Sequence, residues 1–160
     1  MTSSARNNLL VLLATLLLIA CGFQLRSSIE ANFNSITISG GSNDFVKQLN
    51  KRFKQAGVKI VPTGGEVKVE ILKNELKKNI LSLNSSGLVS EYELIYAVIY
   101  RVQSIKDEKW SEPITLDQTR QYTYDDENIV AKELEESRLV TGMKDELIRS
   151  MAAQISLQTN

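Results

Sequence analysis

Polar and apolar side chains alternate along much of the chain between residues 34 and 124, which is typical of β-strands with one buried face. Residues 34–39 alternate ahead of Gly40 and Gly41 and predict a short strand that ends in a turn. Residues 58–61 and 66–72 predict two more. The alternation continues through residues 75–83, but Lys77, Lys78 and Asn79 interrupt it, so we expect a bulge or a twist near Asn74 to Asn79.

The longest alternating run extends from Leu88 to Ile105. It follows the segment Asn84–Gly87, whose composition predicts a turn. Apolar residues occupy both of its faces at the centre, which predicts burial on both sides. Residues 114–124 alternate again and predict a returning antiparallel strand. One face of the long run carries Tyr92, Leu94, Tyr96, Val98, Tyr100 and Val102, and the other carries Glu91, Glu93, Ile95, Ala97, Ile99 and Arg101. We interpret the tyrosines as core residues, with a protein interface as the alternative.

Two segments have helical periodicity instead. Phe45, Val46, Leu49 and Phe53 lie on one stripe that begins after Ser42 and ends before Gly57, at the positions expected for an N-cap and a C-terminal glycine. The second helix is predicted from Asp126 to Leu157, and Gly142 in its middle predicts a bend or a close contact. Its apolar side carries Val140, Met143, Leu147, Met151 and Ile155.

A helix near each end with strands between them predicts an α+β fold. We expect a two-layer sandwich in which both helices pack on one face of a mixed, mostly antiparallel sheet of about four strands. Lysines and an arginine gather toward the end of the first helix. They complement the helix dipole there, and an anionic lipid surface is the alternative partner for them.

The first twenty residues have a separate character. Leu9 to Ala20 contains eleven apolar residues out of twelve, follows Arg6 and is too short to cross a bilayer. A basic start, a short apolar stretch and a small residue at the exit are the parts of a secretory signal. We therefore predict that residues 1–20 form a signal peptide that is removed, and that residues 21–160 form a single domain.

The end of this signal, with Leu18, Ile19, Ala20 and Cys21, resembles the bacterial lipobox. The resemblance implies cleavage before Cys21 and acylation of the new terminus, and several acyl chains make a stable membrane anchor. In lipoproteins of this type an aspartate after the cysteine favours retention at the inner membrane. This chain has Gly22 there, which favours the outer membrane of a Gram-negative bacterium.

Composition excludes several classes of function. The 160 residues contain no histidine and one cysteine, so they cannot supply a structural zinc site, a Ser-His-Asp triad or a Cys-His dyad. With 19 basic and 19 acidic side chains, the chain lacks the field that draws proteins to nucleic acid. We expect no metal, no cofactor and no catalytic residue. Glu91 and Glu93 share a strand face, and a glycan-acting enzyme that uses this pair is the less favoured alternative.

Four segments together resemble the LptE family of lipopolysaccharide-assembly lipoproteins. They are Cys21–Arg26 with the sequence CGFQLR, Ser90–Leu94 with SEYEL, Arg120–Tyr124, and Ile148–Ile155 with IRSMAAQI. The resemblance covers essentially the whole mature chain. It implies an α+β domain that is not an enzyme.

The resemblance also implies a position as a plug inside the LptD β-barrel, where family members assist barrel assembly and lipopolysaccharide delivery. Direct lipopolysaccharide contact needs cations, and the Asn84–Gly87 turn has none. The nearest are Lys77, Lys78 and Arg101, which we predict as contact residues. The anchor alone would equally suit a general envelope scaffold, which stays open as an alternative.

Overall fold

The computed structural model describes residues 31–104 and 109–158. The predictions for the signal peptide, the lipobox and Cys21 lie outside these residues. The described elements, in chain order, are β1 (Ser35–Gly40), α1 (Asn43–Gln55), β2 (Lys59–Ile60), β3 (Val67–Leu83), β4 (Val89–Ser104), β5 (Ile114–Thr123), a 3-10 turn (Asp126–Asn128) and α2 (Ile129–Gln158).

The strands form one sheet in the order β2-β1-β3-β4-β5. The short strand β1 runs parallel to both β2 and β3, whereas the long pairings of β3 with β4 and of β4 with β5 are antiparallel. This confirms the predicted α+β fold with a mixed, mostly antiparallel sheet. The two-residue strand β2 lies within the predicted strand of residues 58–61, and the sheet has five strands where about four were expected.

Both helices pack on one face of the sheet and bury most of the residues predicted from their periodicity, while Val46 and Val140 are partly buried. Phe45, Leu49 and Phe53 of α1 are buried, and the ring of Phe45 lies 6.3 Å from that of Tyr96 on β4. Each helix therefore contributes one apolar stripe to a single core, which burial of apolar surface stabilises. The buried side of α2 comprises Met143, Leu147, Ile148, Met151, Ala152 and Ile155.

The bulge in β3 lies at a different place from the one predicted. Pairing with β4 is continuous from Lys73 to Ile80, and the register shifts at Leu72 and again after Ile80. Because a bulge inserts one residue, it reverses which side chains face the helices. Val67, Val69 and Ile71 face the core before Leu72, and the even-numbered residues from Asn74 onward face the same side after it.

The other face of the sheet is covered by neither described helix. Ile95, Ala97 and Ile99 of β4 are only half-buried there, flanked by side chains of β3 and β5. The predicted burial of the centre of β4 on both sides is therefore only partial on this face.

Gly142 lies inside a continuous helix. A Cβ atom built on it meets no heavy atom of the described residues within 4 Å, so the predicted close contact is absent there.

Candidate functional site

The two longest strands continue past the end of β1 and form a hairpin, whose turn extends beyond the end of β5. Strand β1 pairs with β3 only as far as Ile71, and β5 pairs with β4 only as far as Glu91. From Lys73 onward, β3 is therefore an edge strand among the described residues. We call residues 73–91 the distal hairpin. At about 3.3 Å per residue, the stretch from Lys73 to Leu83 is roughly 33 Å long.

The turn of the distal hairpin is organised by one side chain. Asn84 Oδ1 accepts hydrogen bonds from the backbone N–H groups of Ser86 at 2.9 Å and Leu88 at 3.0 Å. Gly87 has φ of +81°, a conformation that favours glycine. An asparagine that bonds its own turn holds the two strands in register. The turn that the composition predicts is thus confirmed.

The end of the distal hairpin is apolar and exposed. Ile80 is 59% exposed, Leu83 is 57% exposed and Leu88 is 54% exposed. No charged residue occurs between Asn79 and Ser90. Apolar side chains gathered at the end of a projecting element are characteristic of surfaces that meet a protein or lipid partner. We call Ile80, Leu81, Leu83 and Leu88 the apolar tip.

The stem of the distal hairpin carries a short row of alternating charge on the uncovered face. Lys73 Nζ lies 2.8 Å from Glu75 Oε1, and Lys77 Nζ lies 3.4 Å from the same oxygen. The hydrogen bond from Lys73 lowers the pKa of Glu75. Two lysines share one carboxylate, so this row keeps a net positive charge for an anionic partner. The side chain of Lys77 is 61% exposed.

Lys78 points to the opposite face, where it joins the hairpin to α2. Its Nζ lies 2.6 Å from Glu136 Oε2 and 4.1 Å from the centre of the Tyr92 ring. The hydroxyl of Tyr122 donates to the same carboxylate oxygen at 2.5 Å. Partial burial disfavours the charged lysine, but the hydrogen bonds with Glu136 and Tyr122 outweigh it and raise the pKa of Lys78. Its ammonium is already engaged within the fold.

Arg101, the third predicted contact residue, lies elsewhere. It pairs with Glu70, with Nη2 at 2.5 Å from Oε2, and its guanidinium lies 4.8 Å from the centre of the Trp110 ring. Lys77 is opposite Ile95 in the register, six residues from Arg101 along β4, a separation of roughly 20 Å. The structure therefore does not bring Lys77, Lys78 and Arg101 together in one site.

Glu91 and Glu93 share the uncovered face of β4, as the alternation predicts. Glu91 accepts a hydrogen bond from Ser82 Oγ at 2.6 Å, and Glu93 lies opposite Asn79 in the register. The neighbours of both carboxylates are thus polar strand residues, Ser82 for Glu91 and Asn79 for Glu93. The hydrogen bond from Ser82 gives Glu91 a structural role at the end of the hairpin.

The tyrosines predicted as core residues divide into two groups. Tyr96 and Tyr100 are buried, and Tyr100 donates a hydrogen bond to Gln154 at 2.8 Å; burial raises its pKa to about 12. Tyr92 is half-buried at the base of the hairpin, with its ring centre 5.1 Å from that of Tyr124 and 5.8 Å from that of Tyr122. The sequence contains no signal for this aromatic cluster, because its members come from two strands.

Two further properties concern the described part of the chain. None of its helices is long and apolar enough to cross a membrane. Within residues 31–104 and 109–158, no three acidic, histidine or cysteine side chains are grouped as a metal site would need.

The fold resembles those of several solved bacterial lipoproteins. An uncharacterized lipoprotein B from Nitrosomonas europaea is 26% identical, with a TM-score of 0.74 over 86% of this chain and 92% of that one. The rare lipoprotein B from Shewanella oneidensis is 28% identical, with a TM-score of 0.64 over 76% and 96%. A minor lipoprotein from Acinetobacter baumannii, 22% identical, has a TM-score of 0.63 over 80% and 94% and shows the shared fold. No curated protein matches the sequence.

This likeness defines a class, the small α+β domains found in bacterial lipoproteins. Within it, the lipopolysaccharide-assembly family model, LptE, matches residues 31–155. The chain therefore belongs to the LptE family, as the sequence motifs predicted. Membership assigns it to lipopolysaccharide assembly rather than to an enzyme family.

Proposed function

We propose that this protein is an outer-membrane lipoprotein, anchored through acylated Cys21, that partners an LptD-like β-barrel. In this role it plugs the barrel, assists its assembly and takes part in delivering lipopolysaccharide to the cell surface. It performs no catalysis. The observation that carries the proposal is the family match over residues 31–155, which spans both helices and all five strands.

The distal hairpin is the part of the domain best suited to a barrel partner. Its apolar tip is uncharged and exposed, and one edge of its stem has free backbone hydrogen-bonding groups among the described residues. A projecting hairpin with an apolar end can enter a barrel lumen without burying an unpaired charge. We therefore assign the apolar tip to the barrel interface.

Lipopolysaccharide contact is assigned first to Lys77. Its ammonium is the most exposed of the three predicted cations, whereas Lys78 and Arg101 are held by Glu136 and Glu70. The contact of Lys77 with Glu75 is long at 3.4 Å, and Glu75 keeps Lys73 as a partner at 2.8 Å when Lys77 turns to a phosphate group. Unchanged lipopolysaccharide binding after alanine substitution of all three residues would remove them from the proposal. Lys59→Gln, an exposed change on β2, is the matched control.

The first experiment is affinity purification of the full chain from its native outer membrane in mild detergent, with mass spectrometry of the recovered proteins. We expect one stoichiometric large β-barrel, which becomes high-molecular-weight aggregate when this protein is depleted. Intact mass of the recovered protein tests acylation and cleavage at Cys21. Recovery alone, or with peptidoglycan-associated proteins, would contradict the proposal and favour a general envelope scaffold.

A matched pair of variants tests the apolar tip. The triple variant Ile80→Ser, Leu83→Ser and Leu88→Ser removes exposed apolar side chains from the hairpin. Val130→Ser with Leu134→Ser removes them from α2, where they are 81% and 52% exposed. We expect loss of barrel recovery for the tip variant only, with both proteins folded.

The glycan-enzyme alternative has its own test. It predicts that Glu91→Gln or Glu93→Gln abolishes turnover of a peptidoglycan or oligosaccharide substrate in a folded protein. The family role predicts no turnover by the unmodified protein.

A further inference from the structure

Helix α1 carries a row of three lysines on the side turned away from the core. Lys47, Lys51 and Lys54 are spaced i, i+4 and i+7, which places them on one stripe of a helix. The buried residues Phe45, Leu49 and Phe53 occupy the opposite side. We call Lys47, Lys51 and Lys54 the lysine stripe.

Internal contacts do not account for the lysine stripe. None of the described ion pairs uses one of its three lysines. The only carboxylate on α1, Asp44, pairs with Lys144 of α2. Complementation of the helix dipole acts within the last turn, which holds Arg52 and Lys54, so it does not explain Lys47.

The two grooves beside the lysine stripe are lined by more cations than carboxylates. Its lysines line a groove of about 850 Å³ with the apolar side chains of Ile38 and Val46 and with Asp44, whose carboxylate pairs with Lys144. On the other side of α1, Lys51 and Arg52 line a second groove of about 410 Å³ with Arg149 and Asp145 of α2. Cations above a partly apolar groove match the headgroup region of an anionic bilayer, where lysine stems lie along apolar surface and their ammonium groups meet phosphates.

The path of the chain places this surface near the proposed anchor. The ring of Phe33 lies 5.8 Å from that of Phe53 on α1, and the carbonyl of Asn34 accepts a hydrogen bond from Lys59 N at 2.9 Å. The described domain therefore begins beside the C-terminal end of α1. Cys21 precedes Ala31 by ten residues, which span at most roughly 35 Å.

We propose that the lysine stripe docks on the anionic phospholipid headgroups of the membrane that holds the acyl anchor. This second attachment fixes which face of the domain is turned to the bilayer when no barrel surrounds the protein, which is the state that the vesicle experiment uses. The inference rests on the proposed acylation of Cys21. The partner is a phospholipid phosphate surface, distinct from the contact assigned to Lys77.

Lipid quenching of a site-specific fluorophore tests the docking. The mature lipidated protein is placed in anionic vesicles of phosphatidylethanolamine with 30% phosphatidylglycerol. In the neutral control vesicles, phosphatidylcholine replaces the phosphatidylglycerol. Both kinds of vesicle contain a lipid with a spin label on its headgroup, which quenches the fluorophore. The label is attached at Gln55→Cys beside the lysine stripe, or at Thr119→Cys on the uncovered sheet face, both exposed positions. The natural sequence has one cysteine, and acylation blocks its thiol, so the introduced cysteine is labelled alone.

We expect quenching at Gln55→Cys in anionic vesicles, little at Thr119→Cys, and loss of the difference in 0.5 M salt. Each lysine near an anionic surface is worth about a fivefold change in the docked-to-undocked ratio. Lys47→Gln, Lys51→Gln and Lys54→Gln together therefore shift the protein to the undocked state. The matched control is Lys68→Gln, Lys109→Gln and Arg138→Gln, three exposed cations outside the lysine stripe, and circular dichroism checks that both variants fold.

Absence of quenching at Gln55→Cys in anionic vesicles would overturn the inference. So would equal quenching in phosphatidylcholine vesicles or in 0.5 M salt, since that reports proximity without charge recognition. If intact mass shows no acyl chains, the proposed anchor fails separately. Co-sedimentation of the unlipidated chain with anionic vesicles then tests the docking of the lysine stripe. Salt-sensitive binding that the triple α1 variant loses would support the docking. Absence of binding would overturn it.

Discussion

Lys78 and Glu136 are 58 residues apart in the sequence and form the ion pair that joins the distal hairpin to α2, with Nζ 2.6 Å from Oε2. The hydroxyl of Tyr122 donates to the same oxygen, and the lysine lies over the ring of Tyr92. A half-buried carboxylate thus receives two hydrogen bonds from two strands. The pair fixes the position of a long hairpin whose outer edge has no neighbouring strand among the described residues.

Glu136→Ala is expected to destabilise the protein by about 1–2 kcal/mol, because it leaves Lys78 and Tyr122 without their shared acceptor. Glu135→Ala, which removes a mostly exposed i,i+3 partner of Lys132, should cost less than about 0.5 kcal/mol. Urea unfolding measures both changes. In a double-mutant cycle, Lys78→Met with Glu136→Ala should cost less than the sum of the single changes, and full additivity would contradict the pairing.

Acid should weaken this joint in a defined range of pH. Partial burial acts to raise the pKa of Glu136, but the hydrogen bonds from Lys78 and Tyr122 outweigh it and lower the pKa below its ordinary 4.5. A carboxyl whose folded pKa is lowered contributes its stability in full above the unfolded pKa and loses it as the pH falls through the folded pKa. We expect the Tm to fall below about pH 5, in part through Glu136.

Glu136→Gln isolates this contribution. The difference in Tm between the unmodified protein and the variant should be largest near pH 7 and should shrink as the pH falls below 4. Thermal unfolding monitored by circular dichroism from pH 3 to pH 7 measures it. A constant difference in Tm across that range would show that the negative charge of Glu136 does not contribute to the stability of the unmodified protein.

The sequence predicted the elements whose apolar period is regular. Helix α1 has four apolar residues at helical spacing, and β4 alternates over sixteen residues, so burial of one face dictates both. Two of the four family motifs lie on long regular elements, at Ser90–Leu94 of β4 and at Ile148–Ile155 of α2. The family resemblance and the periodicity of apolar residues therefore predicted the same α+β fold.

Features that depend on contacts between distant parts of the chain could not be predicted from the local spacing of apolar residues. The bulge at Leu72 is a single inserted residue, and its position depends on the pairing with β4 and on the end of β1 at Gly40, opposite Ile71. The parallel pairing of β1 with β3 depends on α1 crossing between them. The partners of Lys78 and Arg101 follow from this geometry, so their engagement in internal pairs could not be read from proximity to the hairpin turn.

Gly65 allows β1 to approach the turn before β3. A Cβ atom at this position would lie 2.6 Å from the backbone nitrogen of Thr37 and 2.8 Å from the carbonyl carbon of Ile36. Since backbone cannot move aside cheaply, Gly65→Ala should cost about 2–3 kcal/mol. The adjacent Gly64 has φ of +73° and open space around it, so Gly64→Ala should cost only about 1 kcal/mol. Equal costs in chemical denaturation would contradict the close approach.

Gly142→Ala is expected to stabilise the protein. The residue lies inside α2, and the added methyl group meets no described atom within 4 Å. Alanine is favoured over glycine in a helix interior by about 0.8–1.0 kcal/mol. Thermal unfolding should show a higher Tm. A lower Tm would mean that the α2 surface at this position is covered by another part of the chain or by a second copy.

Arg101 should prove to be a structural residue. Its guanidinium pairs with Glu70 and lies over Trp110, the single tryptophan of the sequence, so the fluorescence of Trp110 reports directly on this contact. Arg101→Met should change that emission and cost about 1 kcal/mol of stability, because both partners are about one-third exposed. Lipopolysaccharide binding should be unaffected, whereas Lys77→Gln should weaken it. The reverse result, with binding lost in Arg101→Met and retained in Lys77→Gln, would place the lipid contact on the uncovered face near Trp110.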